Sequence, residues 1–296
     1  MLRRLAIVVL VVAPLALGQK AGTHERTLEM GDQERAYLVH VPKGYDGKKS
    51  VPLVLMLHGR GSSGRQAASR YYGWKPLSEK HGFVVAFPDA LGRPRSWKPA
   101  WGGRKTADGR FLARLIDTVG EEFKIDTDRV FMTGHSSGGI MSFSFAATHS
   151  GKVAAIAPVA GTIGTDTRGR TFTVPKPKGP VPAVIFHGMS DNVVPYDKER
   201  GKNAAYNMLV SAPKSAQFFA KANGCEDKPK RKDINDGKVH VDTWTGGKAP
   251  VVFYSIEGHG HSWPTKRKGG LNATEIAWGF FARQAGKKPR EKQPVR

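Results

Sequence analysis

The sequence predicts an α/β domain built on a mostly parallel, doubly wound sheet with helices on both faces, and two observations carry that prediction. Short apolar runs recur along the chain without internal polar alternation, the pattern of strands covered on both sides. Between them lie stretches whose apolar residues fall at helical spacing, and strands alternating with helices in this way assemble parallel sheets.

The elements follow in chain order. Met1-Leu2-Arg3-Arg4 is a basic head, residues 5–17 form an apolar run shorter than the ~20 residues a membrane span needs, and Ala16-Leu17-Gly18 supplies small residues for cleavage. Residues 1–18 are therefore expected to be a signal peptide, which makes the protein secreted or periplasmic, with no membrane anchor once it is removed. Residues 19–34 read as a linker. Tyr37, Val39 and Val41 alternate on one face of an early half-buried strand. Residues 53–57 are continuously apolar and end in His58-Gly59; similar runs fall at 83–87, 130–132, 154–159, 181–186 and 251–256. Phe111, Leu112, Leu115, Ile116, Val119 and Phe123 make one helical stripe, residues 139–149 a helix of small residues, and Asn272 with Glu275 a capped helix start. The catalytic domain is expected over 35–285, followed by a solvated basic tail over 286–296.

Composition narrows the classes. The 296 residues are 39% apolar and 24% charged, enough for a sizeable core and against a disordered chain. The 35 Gly and 19 Pro follow no period, which excludes collagen-like and repeat architectures. Cys225 stands alone, so neither an intrachain disulfide nor a cysteine zinc site can form. Lys and Arg outnumber Asp and Glu by 47 to 25, a net charge of +22 that attracts polyanions at low salt.

The chemistry falls at the strand ends. Gly134-His135-Ser136-Ser137-Gly138 follows the apolar run at 130–132 and precedes a helix, the strand–turn–helix setting of a nucleophile elbow. A serine hydroxyl attacks only when a base removes its proton, so a histidine and an orienting carboxylate are required, here in the order Ser, acid, His. Asp191 lies beyond the run at 181–186, and both His259 and His261 lie beyond the run at 251–256. Chemistry alone leaves the choice between those two histidines open. The oxyanion hole needs the N–H of Ser137 and a second donor from the loop after His58-Gly59, assigned to Arg60 with Gly61 as competitor.

Taken together, L-x-L-x-L-H-G at 53–59, D-x-x-F-L at 108–112, G-x-S-x-G-G at 134–139, H-G-x-x-D-x-x-V-P-Y at 187–196, Asn223-Gly224-Cys225 and G-H-x-W-P at 260–264 resemble the secreted polyhydroxybutyrate depolymerase-like esterases. That group overlaps the feruloyl and acetylxylan esterases of carbohydrate esterase family one, within the α/β-hydrolase superfamily. The resemblance spans about 35–284, nearly the whole mature chain. It implies an α/β-hydrolase fold and a serine carboxylic-ester hydrolase without cofactor, with Ser136 as nucleophile, Asp191 as acid and His261 as base. His259 stands where such relatives usually have glycine. Arg60 replaces a cysteine common in them, so a disulfide found in some cannot form here.

The remaining features are weighed against plainer readings. His58, His135, His187, His259 and His261 invite a metal reading, but no H-E-x-x-H-like spacing accompanies them, so no metal is expected. Trp263, Trp97 and His58 are candidate substrate-pocket residues, with Trp101 as a further aromatic platform. Lys228, Lys230, Arg231 and Lys232, with Lys266, Arg267 and Lys268, read as a basic solvated face or, more sharply, as attraction to acidic polysaccharide. No nucleic-acid motif is present. The expected substrate is an ester, polymeric or small: hydroxybutyrate polyester, feruloyl-arabinose or acetyl-xylose. The alternative is a non-catalytic, polyanion-binding cell-wall protein that keeps the scaffold.

Overall fold

The computed structural model describes residues 20–167, 170–197 and 208–284. The expected signal peptide and basic tail lie outside them. The described elements in chain order are β1 (Gly22–Met30), β2 (Gln33–Val41), β3 (Val51–Leu57), α1 (Gly64–Ala67), α2 (Trp74–His81), β4 (Val84–Pro88), α3 (Ala107–Glu122), β5 (Ile125–His135), α4 (Ser137–Thr148), β6 (Ala155–Val159), β7 (Gly164–Thr167), β8 (Arg170–Thr173), β9 (Ala183–Gly188), α5 (Ala212–Ala222), β10 (Lys230–Ile234), β11 (Val239–Trp244), β12 (Val251–Ile256) and α6 (Ala273–Gln284).

Ten strands form one sheet in the order β1-β2-β4-β3-β5-β6-β9-β12-β11-β10, and β7 pairs with β8 apart from it. The six central strands from β4 to β12 are parallel, while β1-β2 at one edge and β11-β10 at the other are antiparallel. The parallel strands coincide with the continuous apolar runs. In β3 alternate residues feed two cores: Leu53, Leu55 and Leu57 pack with Phe111 and Leu115 of α3 and Phe143 of α4. Val54 and Met56 pack on the other face with Trp74 of α2 and Phe281 of α6. Strands buried on both faces need helices on both faces, which is why residues 53–57 of β3 are apolar without a break. Asn272 Oδ1 accepts from the N–H groups of Thr274 and Glu275 at 3.1 and 3.2 Å and starts α6.

One expectation is corrected. The segment read as a linker, 19–34, contains β1, which pairs with β2 along its whole length. Its residues alternate between exposed and half-buried, with only Leu28 and Met30 as large apolar groups, so period and composition hide it. Lys230, Arg231 and Lys232 lie exposed on edge strand β10, where charges discourage pairing with another chain. Arg231 is neutralised there by two 2.7 Å hydrogen bonds to Asp242.

Candidate active site

The loops that follow the parallel strands leave from one end of the sheet, the usual position of a site in such folds. Strand β5 ends at His135, and Ser136 turns the chain into α4 with φ at 56°, a left-handed conformation costly for a residue with a Cβ. The turn holds because the Ser136 N–H donates to Val159 O of β6 at 3.0 Å and its carbonyl accepts from Ile140 N at 2.9 Å. Gly138 is required by close approach: a Cβ there would strike the carbonyl of Leu57 in β3. The Ser136 side chain thus stands clear of the backbone at the head of α4, half-buried.

Strand β9 delivers Asp191. The loop after it is stitched to the loop after β12, with Met189 N donating to Ile256 O at 2.9 Å and Ser190 N to His259 O at 3.0 Å. Asp191 Oδ1 accepts from the amides of Val193 and Val194, each at 2.9 Å, and Oδ2 accepts from His261 Nδ1 at 2.7 Å. Burial opposes the charge on Asp191, but the hydrogen bond from His261, the neighbouring His187 and the Val193 amide outweigh it and hold the carboxyl below its ordinary range. With Nδ1 donating to Asp191, Nε2 of His261 is the nitrogen left to accept a proton.

His261 is brought to the Ser136 turn by ring packing: its ring centroid lies 5.0 Å from that of His135, the residue before Ser136. No hydrogen bond joins Ser136 Oγ to His261 among the described residues. Such contacts are often long before substrate binds. His135 is enclosed by Tyr72, His261 and Trp263, and burial with the nearby His261 pushes its pKa down to about 3, so the ring is neutral. His259 is buried, and its Nε2 lies 3.0 Å from Ser262 O, which keeps it in the wall of the loop. His187 is also buried, its Nε2 2.8 Å from Val194 O.

The two loop glycines and Arg60 differ in a way that bears on the expected oxyanion hole. Gly61 N donates to Arg95 O at 2.8 Å and is spent. Neither Arg60 N nor Ser137 N has an acceptor among the described residues. Gly59 lies against the turn, since a Cβ on it would sit 3.6 Å from the Ser136 Cβ.

The expected pocket residues are placed differently from a platform. Trp97, Trp263 and His58 are all buried. Trp97 Nε1 donates to His58 O at 3.0 Å, Trp263 Nε1 donates to Thr274 Oγ1 at 3.0 Å, and His58 Nε2 accepts from Ala90 N at 3.0 Å. Their hydrogen bonds fasten the loops from behind, because a buried polar group must be satisfied. Trp101 is half-buried. The exposed aromatic at the site is one the sequence did not single out: Tyr71, 44% exposed, whose hydroxyl accepts from Trp263 N at 3.0 Å. Tyr72 beside it packs against Trp263 and His135.

A buried ion pair sets the loop after β4. Arg35 of β2 and Asp108 of α3 meet at 2.8 Å with both side chains almost fully enclosed, and the guanidinium lies 3.9 Å over the Phe111 ring. Arg35 also donates to Asp89 O at 3.1 Å, and the other Asp108 oxygen accepts from Lys98 N at 2.8 Å. Both ends of the loop are thereby fixed, and its middle touches the turn at Ser136 through Ser96 Oγ and Trp97 N, 3.3 and 3.2 Å from Ser137 Oγ.

Residues 52–176 match the family described as the alpha/beta hydrolase fold. Feruloyl esterase D of Neurospora crassa is 27% identical over 274 residues, covering 87% of this chain and 84% of its own. A probable feruloyl esterase C of Aspergillus terreus is 26% identical over 276 residues, covering 90% of this chain and 92% of its own. A bifunctional acetylxylan esterase/xylanase of Neocallimastix patriciarum is 28% identical over 228 residues; the match covers 76% of this chain but 31% of that protein. In three dimensions the acetyl xylan esterase from Aspergillus awamori superimposes with a TM-score of 0.63 at 16% identity, over 88% of this chain and 99% of that one.

Proposed function

We propose that this chain, a carboxylic ester hydrolase of the α/β-hydrolase fold, is an exported serine esterase that removes acyl groups from polysaccharide, as feruloyl or acetyl esters. The observation that carries the mechanism is the 2.7 Å hydrogen bond between His261 and Asp191, beside the Ser136 turn. His261 Nε2 takes the proton of Ser136 as Oγ bonds to the ester carbonyl carbon. The carbonyl electron pair moves to oxygen, and the oxyanion rests on the N–H groups of Arg60 and Ser137. The C–O bond to the alcohol then breaks, and the departing oxygen receives the proton from His261. Water repeats the sequence, giving its proton to His261 and its oxygen to the acyl carbon, and releases the acid with Ser136 restored.

Substrate class is supported by the names of the relatives and by the exposed Tyr71 ring, held against the loop that bears His261 as a surface on which a sugar or aryl group can stack. Export is supported by the basic head, apolar run and small-residue exit at residues 1–18. Product analysis on feruloylated, acetylated xylan and on hydroxybutyrate oligomers tests the reading, with Ser136→Ala as blank. Ferulate or acetate release that depends on Ser136 is expected. Release of 3-hydroxybutyrate alone would replace polysaccharide by polyester as the substrate, and equal release by Ser136→Ala would remove the mechanism.

A further inference from the structure

The basic residues are not spread evenly: three stretches beside the site contain no carboxylate side chain, although Asp89 and Glu257 directly precede two of them. The stretches 58–73, 90–107 and 258–272 follow β3, β4 and β12 and include several Lys and Arg but neither Asp nor Glu. Each adjoins residues of the candidate site. Arg60 follows Gly59, whose backbone lies against Ser136. Arg93 belongs to the loop whose Ser96 approaches Ser137 at 3.3 Å. Arg70 precedes Tyr71, which is hydrogen-bonded to Trp263 two residues beyond His261. Lys266, Arg267 and Lys268 sit in a turn closed by Thr265 N donating to Lys268 O at 2.7 Å. All six of these side chains are exposed, and none has an ion-pair partner among the described residues. By contrast Arg65 is paired with Glu25, and Arg95 lies 4.0 Å from Asp89. Unpaired like charges on neighbouring loops repel each other and raise a field that draws anions toward them. Two less polar groups, Tyr71 and Leu91, are exposed among them.

Resting on the esterase reading above, we propose that this rim selects acylated polysaccharide that itself carries carboxylates, so that uronic acid groups along the chain are held by the loop cations while a neighbouring ester reaches Ser136. The cations act by their position on the loops beside the site and take no part in the acyl transfer. Because they are exposed, their attraction is screened over about 10 Å at 0.1 M salt and is largest in dilute buffer.

The test compares acetylated xylan bearing uronic acid side groups with the same polymer after those groups have been removed enzymatically. At about 20 mM salt the acidic polymer is expected to show a KM at least about tenfold lower, with kcat within about twofold, and the gap should close near 0.5 M salt as screening shortens. The triple variant Arg93→Glu, Arg267→Glu, Lys268→Glu should narrow the same gap. The salt series on the unaltered chain gives the answer if that variant does not fold. Equal KM values for the two polymers at low salt would overturn the proposal. Co-sedimentation of Ser136→Ala with the two polymers separates the two readings. A retained preference without any ester turnover by the unaltered chain would leave the surface standing and remove the esterase. Duplex DNA or a sulfated glycan bound as tightly as the acidic xylan would make the rim a general polyanion collector and overturn the polysaccharide assignment.

Discussion

Asp191 and His261 are joined at 2.7 Å although they lie seventy positions apart in the chain, and the carboxylate has its other oxygen filled by the Val193 and Val194 amides. The histidine ring is therefore held in one tautomer and one orientation. Asp191→Asn keeps the shape but presents an amide where an acceptor is needed. It should lower kcat on a soluble ester by about 10³-fold or more while leaving KM within a few-fold. Steady-state kinetics, with a melting curve to show that the variant is folded, checks this.

His135 links the site to the stability of the fold. Its folded pKa is pushed down to about 3 by burial and by His261, against about 6.5 in the unfolded chain. Below pH 6.5 the unfolded chain takes up a proton that the folded one refuses, so stability falls as pH drops through the window from 6.5 to about 3. His58, His149 and His187, also lowered by burial, act in the same direction. Asp191 adds a separate loss at lower pH: its folded pKa is depressed, so its contribution is present above the unfolded value and fades as pH falls through the folded one. His135→Gln should flatten the curve between about pH 6.5 and about pH 4 by an amount on the order of several kcal/mol at most. Denaturant unfolding of both proteins across that range reads it directly.

The Arg35–Asp108 pair leads to a structural prediction of a different kind. With both side chains almost fully enclosed, removing one partner leaves a charge buried without compensation. Asp108→Ala should cost about 3–5 kcal/mol of stability. It should also loosen the loop that carries Ser96 and Trp97, so that activity falls more steeply with temperature than the melting curve alone requires. Arg35→Met combined with Asp108→Leu should recover much of the stability, since an apolar pair of similar volume avoids the desolvation cost.

Tyr71 ties the exposed aromatic to the loop bearing His261. Tyr71→Phe deletes the hydroxyl that accepts from Trp263 N and should cost about 1 kcal/mol of stability. Tyr71→Ala should in addition raise KM for aryl or glycosyl esters more than for a small acetate ester. Parallel kinetics on the two substrate types decide whether the ring contacts substrate.

Legibility in the sequence followed burial. Strand β3 announced itself because both of its faces are enclosed, so Leu53, Val54, Leu55, Met56 and Leu57 had to be apolar without a break. The turn at Ser136 was legible for a related reason: only glycine fits beside it at Gly138, and that requirement leaves a written mark. Strand β1 left no such mark, since one face meets solvent and the other is only half-covered. The burial of Trp97 and Trp263 was illegible because their partners, His58 and Thr274, are met only through tertiary packing. Tyr71 gave no signal for the same reason: its role depends on Trp263, 192 positions away.

The central claim is that Ser136 is the nucleophile, and active-site phosphonylation tests it most directly. A fluorophosphonate ester is incubated with the protein, and the adduct is located by peptide mass mapping. One adduct is expected, on Ser136, formed slowly in His261→Ala and absent in Ser136→Ala. An adduct on another residue, or labelling of Ser136→Ala at the unaltered rate, would contradict it.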